Sequence, residues 1–440
     1  MPCLRAVWRR RDAAPMVEEE RVLQSERALR IPARGDRTHR RHRTEGNFLS
    51  RRHFSIKRCR RTNDLGMKEL SLLKRFHQAL GWYGESEVCE EIHHGYSDLV
   101  GRHLGKFFNE VRSTRPDVEA EIVAKLTELS EESLTRLLLA PETTRLLMWP
   151  DPARDASVAA EFLIRSVQAE MAREGSVAQS VVEPLWTALG DILILPGGQV
   201  VEGPSIKGVA ALDLDSPYAL GIDVQGIRFT RPAGRTPLAG REREEALAKL
   251  SAAIEGIALV SSETSAFVAR FTKALVLLRD DQERVFSSGS CAQYVGRSVL
   301  GNPQFSAVDH ALVAEGVVHE SIHGFLYMHE MQESWVLDDS LYSMQPMVPS
   351  PWTGRRLPVR PFLQACFVWY GLFNFWSAAA ETGVFGTARA LERRQAALCG
   401  FLKEPLTQLI KTYAEQVNGD LLDALGDLQE QVAANHEAVF

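Results

Sequence analysis

The stretch VVHESIHGFLYMHE, residues 317–330, carries His319 and His323 four positions apart, with Glu320 directly after the first. Four residues of α-helix turn through about 400°, so both imidazoles leave the same face one turn apart. Nitrogen donors at that spacing can reach one metal ion, which then needs a third ligand and an open coordination position. A buried helix with two satisfied histidines is the bland alternative. Ser306, three residues before Asp309, gives an S-x-x-D capping pattern for the start of this helix.

The chain of 440 residues is 45% hydrophobic and 25% charged with a net charge of −6, a globular composition long enough for two or three packed units. The apolar segment 362–376 is interrupted by Gln364, Gly371 and Asn374, so no membrane span is expected. Six scattered cysteines without a CxxC pair predict free thiols in a reducing cytoplasm. Residues 1–66 hold 18 Lys and Arg against 8 Asp and Glu. This arginine-rich segment lacks the interleaved aromatics of a nucleic-acid module, and no nucleic-acid partner is expected. Met67 opens the amphipathic segment MKELSLLKRFHQALGWYG and is read as the natural start, with 1–66 a disordered or upstream extension. A transit peptide is the weaker reading, because Glu18, Glu19 and Glu20 are acidic.

Helical spacing of apolar residues dominates 67–190, which makes this region a helical unit and a possible peptide- or leader-binding surface. From 191 to 232 the pattern changes to short β-branched or alternating runs broken by Gly and Pro, predicting three to five strands. Helices are expected over 241–255 and 262–278, followed by a strand-like segment over 284–303. The fold class expected is α+β and predominantly helical: a helical first half, a small central sheet, and a mixed unit over 191–440 whose C-terminal helices carry the HExxH motif.

The segment 361–381 is apolar at nearly every position, so its helix must be buried all round. Tyr370, Asn374, Ser377 and Glu381 recur at steps of four, three and four and form a narrow polar stripe. A buried carboxylate is costly unless paired or bound to metal, which makes Glu381 a candidate third ligand. The competing reading places Glu381 at an exposed helix end, just before Gly383. His329, six residues after His323, is the other candidate. It stands in the register of metzincin proteases, although those have glycine where this chain has Leu326.

The motif followed by PWTGRRLP and FLQACFVWYGLFNFW resembles the HExxH-motif proteins of ribosomal peptide natural-product clusters, a family that includes 2-oxoglutarate-dependent peptide β-hydroxylases. The residues that carry the resemblance are His319, Glu320, His323, Pro351, Trp352, Arg355, Leu363, Gln364, Gly371, Phe375 and Trp376, within a match over 284–380. The resemblance implies Fe(II) held by His319, His323 and a third protein ligand, with Glu381 the first choice and His329 the second. It also implies 2-oxoglutarate as cosubstrate. A guanidinium can hold its distal carboxylate bidentately, and Arg355 is the first choice, with Arg356 and Arg360 behind it. Asn374 is a further cosubstrate-binding candidate. The partner implied is a ribosomal precursor peptide. The main alternative is a zinc metallopeptidase with Glu320 as general base. A non-catalytic peptide-binding maturation protein is the other.

Overall fold

Helical periodicity in the first part of the chain is realised as packed helices: α1 (Phe76–Leu80), α2 (Glu87–Thr114), α3 (Pro116–Glu128), α4 (Glu131–Leu138), α5 (Pro141–Met148) and α6 (Ala156–Arg173). Their boundaries have chemical causes. Pro116 and Pro141 sit in first turns, where a missing N–H is no loss. Ser130 starts α4 by accepting from the Ser133 amide. The protein is α+β and predominantly helical. A computed structural model describes residues 71–82, 87–149, 156–176, 181–206, 210–221, 235–282, 284–338, 341 and 345–437. The basic segment 1–66, with the readings attached to it, lies outside the described residues.

Beyond α6 the chain turns to strands. A small antiparallel sheet holds β1 (Leu185–Trp186), β2 (Ile192–Ile194) and β3 (Val200–Glu202). The larger sheet holds β4 (Ala211–Asp213), β5 (Arg235–Pro237), β6 (Ala274–Asp280), β7 (Ser287–Gly289) and β8 (Arg297–Gly301). Its order is β4-β6-β8-β7, with β5 also on β6. β4, β6 and β8 are parallel, whereas β7 runs antiparallel to β8. Helices α7 (Gly240–Val260) and α8 (Ser262–Phe271) lie between β5 and β6 in the chain. The helix expected over 262–278 therefore stops at Phe271, and ALVLLRD becomes the central strand. Ala274 to Leu278 are all buried. A strand covered on both faces loses its alternation, and a short apolar run has no period that separates it from a buried helix.

The motif helix α9 (His310–Glu330) follows, then the antiparallel pair β9 (Met347–Pro349) and β10 (Arg356–Pro358). Helices α10 (Val359–Thr382), α11 (Thr387–Phe401) and α12 (Gly419–Glu437) complete the described chain. Asp309, not Ser306, caps α9: its carboxylate accepts from the Leu312 amide at 2.8 Å. α9 packs on α7, α8, α10 and α2, and on strands β7 and β8. Phe325 anchors it, with the rings of Phe76, Phe271 and Phe267 at 4.8, 5.1 and 5.4 Å. Burying such a ring contributes about 1.5–3 kcal/mol. One hydrophobic core runs from Leu73 to Val432, and residues from Ser71 onward form one compact unit. The helical part and the mixed part share that core, so the division expected near residue 190 does not separate two compact units.

Gly324 shows how closely α9 is held. A Cβ there would lie 2.5 Å from the Phe271 carbonyl oxygen, a backbone atom that cannot step aside cheaply. In an open helix Gly→Ala stabilises by up to about 1 kcal/mol. Here Gly324→Ala is expected to reverse that sign and destabilise by about 1–3 kcal/mol through overpacking, as read by the denaturant midpoint.

Candidate metal centre

Between Ala311 and Glu330, α9 is buried except along one stripe: Leu312, Glu315, His319, His323, Tyr327 and Glu330. Steps of three and four follow the helical period, so these side chains share one line down the helix. The rings of His319 and His323 stand 5.0 Å apart, centroid to centroid. His319 is the more open, with 32% of its side chain exposed. His323 has its Nδ1 3.0 Å from Gln364 Oε1 on α10, and the Tyr327 ring stacks beside it at 5.7 Å with an interplanar angle of 20°. Burial, followed by the neighbouring His319, pushes the His323 pKa down to about 4. Its imidazole is therefore neutral at pH 7, the form that ligates metals. Burial also pushes the Tyr327 phenol up, keeping it a neutral hydroxyl.

Glu320 is turned toward the sheet. It is 3% exposed, and each carboxylate oxygen accepts a serine hydroxyl at 2.6 Å: Ser288 on Oε1 and Ser290 on Oε2. Side chains two apart in extended chain share a face, so β7 and the residue after it present both hydroxyls together. Gly316, one turn before Glu320, permits this approach, because a Cβ there would lie 2.8 Å from Phe286 and 3.3 Å from the Ser288 Cβ. Glu320 Oε1 remains 3.9 Å from His319 Nε2.

Both ends of the stripe are closed by arginine. Glu315 accepts from Trp376 Nε1 at 2.8 Å and pairs with Arg393. Glu330 accepts from Arg360 Nε at 2.6 Å and from Gln364 Nε2 at 3.0 Å. Contacts 330–360, 323–364 and 315–376 run in opposite chain directions, so α10 lies antiparallel along the site.

The remaining expected site residues lie elsewhere. Glu381 is exposed and lines a cavity of about 430 Å³ with Trp82, Val260 and Ser262. It stands seventeen residues after Gln364, about 25 Å further along α10. That distance excludes it as a ligand beside His323. Asn374 lines the same cavity and donates to the Leu80 carbonyl at 3.2 Å, about 15 Å along the helix from Gln364. His329 is a core histidine. Six residues turn it to another face of α9, where its Nδ1 accepts from Trp335 Nε1 at 3.0 Å and Phe76 packs edge-on. Arg355 is exposed at the turn between β9 and β10, where its carbonyl accepts from the Ser350 amide. Arg360 is the cation beside the site instead, near enough to lower the His323 and Tyr327 pKa values.

Sequence reasoning missed Ser288, Ser290, Tyr327 and the bonding of Gln364 as site features. Tyr327 carries a signal that could have found it, since it continues the four-residue step of the histidines. The two imidazoles suit two positions of a coordination sphere, with His323 held by a side chain on its other nitrogen as metal-ligating histidines usually are. Among the described residues no group of three His, Cys, Asp or Glu is arranged to hold a metal ion. No known protein-family model matches the chain, and no curated protein does either.

Two outcomes follow. His319→Ala and His323→Ala should each weaken Zn(II) binding beyond the about 10–100-fold typical of outer-sphere changes, while Glu381→Gln leaves it unchanged, as measured by equilibrium dialysis with metal analysis. The second concerns His329, whose pKa burial lowers from 6.5 to about 4. The unfolded chain then binds one more proton between those values, so this residue's contribution to stability is present above pH 6.5 and is lost as pH falls toward 4. Urea unfolding from pH 7 to pH 4 should show a shallower decline for His329→Phe.

Proposed function

We propose that this protein is an Fe(II)- and 2-oxoglutarate-dependent oxygenase that hydroxylates a Cβ position of a ribosomally made precursor peptide. The observation that carries the reading is where the resemblance residues outside the motif converge. Gln364 bonds His323, and Trp376 bonds Glu315 one turn before His319. Gly371 leaves the space that Ile322 fills, since a Cβ there would lie 2.6 Å from Ile322 Cδ1. Residues that carry a likeness to peptide hydroxylases thus build the wall along which the histidine pair stands.

When bound, iron with 2-oxoglutarate and O₂ supplies the oxidising power for C–H hydroxylation, and the protein supplies position. His319 and His323 would hold the metal. Arg360, rather than exposed Arg355, would be the cation to meet a cosubstrate carboxylate, and its pairing with one carboxylate, Glu330, supports that reading. Tyr327 offers a neutral hydroxyl beside His323. Ser288 and Ser290 fix Glu320, whose two oxygens already accept hydroxyls inside the protein. A base that must collect a proton in an open cleft is poorly served by that enclosure. The zinc peptidase reading keeps one observation in its favour, the 3.9 Å between Glu320 and His319. The proposal also puts the protein in the cytoplasm, where its peptide is made; among the described residues no helix is long and apolar enough to cross a membrane.

Protein purified without oxygen and supplied with Fe(II), 2-oxoglutarate, O₂ and a short precursor peptide, sought beside its gene, should form succinate. The peptide should gain the mass of one oxygen atom, and neither product should form with His319→Ala or His323→Ala. Peptide cleavage by the zinc-loaded protein, lost in Glu320→Gln, would overturn the oxygenase reading in favour of a peptidase.

A further inference from the structure

We infer that Glu330 and Arg360 are positioning residues that set the tautomer of His323 through Gln364. The inference rests on His323 being a metal ligand, and not on which reaction the metal serves.

An amide side chain has one accepting end and one donating end, and which is which cannot be chosen independently at its two neighbours. The Gln364 amide lies between His323 Nδ1, at 3.0 Å, and Glu330 Oε2, also at 3.0 Å. A carboxylate paired with Arg360 at 2.6 Å is an acceptor, so the NH₂ end of Gln364 must face it. The carbonyl end is then committed to His323. A carbonyl cannot donate, so His323 Nδ1 must carry the proton. The lone pair is left on Nε2, the ring nitrogen on the far side from Gln364, where a metal can use it. Orientation therefore passes in one direction, from a guanidinium to a carboxylate, to an amide, to an imidazole.

The residues are built to hold this order. Glu330 has only 6% of its side chain exposed and Gln364 is buried, so water competes little for either. Both lie on long helices, α9 and α10. Arg360 stands one turn before Gln364 on α10, so the cation and the amide approach Glu330 from one helix face. Without the carboxylate, nothing in this chain of bonds would tell the Gln364 amide which way to turn. An inverted amide would donate to Nδ1 and drive the proton onto Nε2, removing the donor atom the metal needs.

The test compares Glu330→Gln, Gln364→Glu and the double exchange E330Q/Q364E. In the double variant the carboxylate moves to position 364, where it accepts from His323 Nδ1 and from the amide now at position 330. The carbonyl of that amide accepts from Arg360, so the direction of the chain is restored. Two quantities are read on the full protein: the His323 tautomer in metal-free protein, from two-bond ¹H–¹⁵N correlations assigned by difference with His323→Gln, and Zn(II) affinity by calorimetric titration. Glu330→Gln should populate the Nε2–H form and weaken zinc by about 10–100-fold, and the double exchange should recover both. A Glu330→Gln protein that keeps the Nδ1–H form and full zinc affinity would overturn the inference. So would a folded double variant, with wild-type circular dichroism, that recovers neither. If the wild-type protein binds no zinc at all, the metal-site reading fails while the tautomer spectra still decide the relay.

Discussion

Enclosure of α9 on every side but one governs this structure. A helix buried to that degree must find a partner for each polar side chain it encloses, because an unpaired polar group in an apolar interior costs several kcal/mol and a charge costs more. Ser321 donates to the Val317 carbonyl one turn back and accepts from the Thr272 hydroxyl. His329 is met by Trp335, Glu320 by two serines, and Glu315 and Glu330 by arginines. The stripe between the two arginine pairs is then where α9 offers imidazole to anything outside the core, and the candidate chemistry is confined to about two turns of helix.

Local features of this site were legible in the sequence, and the tertiary ones were not. The pairing of His319 with His323 follows from helical pitch alone, and the α10 segment is so apolar that its burial could hardly be missed. The polar stripe on α10 is equally regular, yet it does not reach the histidine pair. Tyr370 donates to Gln431, Asn374 to the Leu80 carbonyl, and Ser377 to its own helix at Phe373. Periodicity establishes that such residues share a line; it cannot say what stands opposite that line. Glu381 fails as a ligand for this reason, being on a plausible face at the wrong height. The central strand β6 escapes sequence reading for another. Its first five residues are covered on both sides, so the two-residue period that would betray a strand is erased.

Gln364 illustrates what a resemblance adds and where it stops. As a residue in FLQACF it marks a likeness without a role, because a glutamine in an apolar helix has no preferred partner readable from its neighbours. Only the crossing of α9 and α10 brings its two ends to an imidazole and a carboxylate at once. Ser288 and Ser290 are similar: an S-x-S pattern in a short edge strand is common, and its significance depends on Gly316 letting the helix approach.

Precision in a metal site depends on how firmly its ligands are held before the metal arrives. Here both imidazoles belong to one continuous helix, so their separation is set by backbone hydrogen bonds and not by a loop. The helix is fixed in turn by contacts of different kinds at successive levels: serines from the sheet at Glu320, backbone contact at Gly324, and the glutamine and arginine of α10 at His323 and Glu330. Sliding α9 by one residue would break all of them together, because it moves every side chain by about 1.5 Å along the axis and about 100° around it. A site built this way can leave part of its coordination sphere to other groups without losing the geometry of the two histidines. That division would suit the proposed oxygenase, in which cosubstrate and peptide must both approach the same metal.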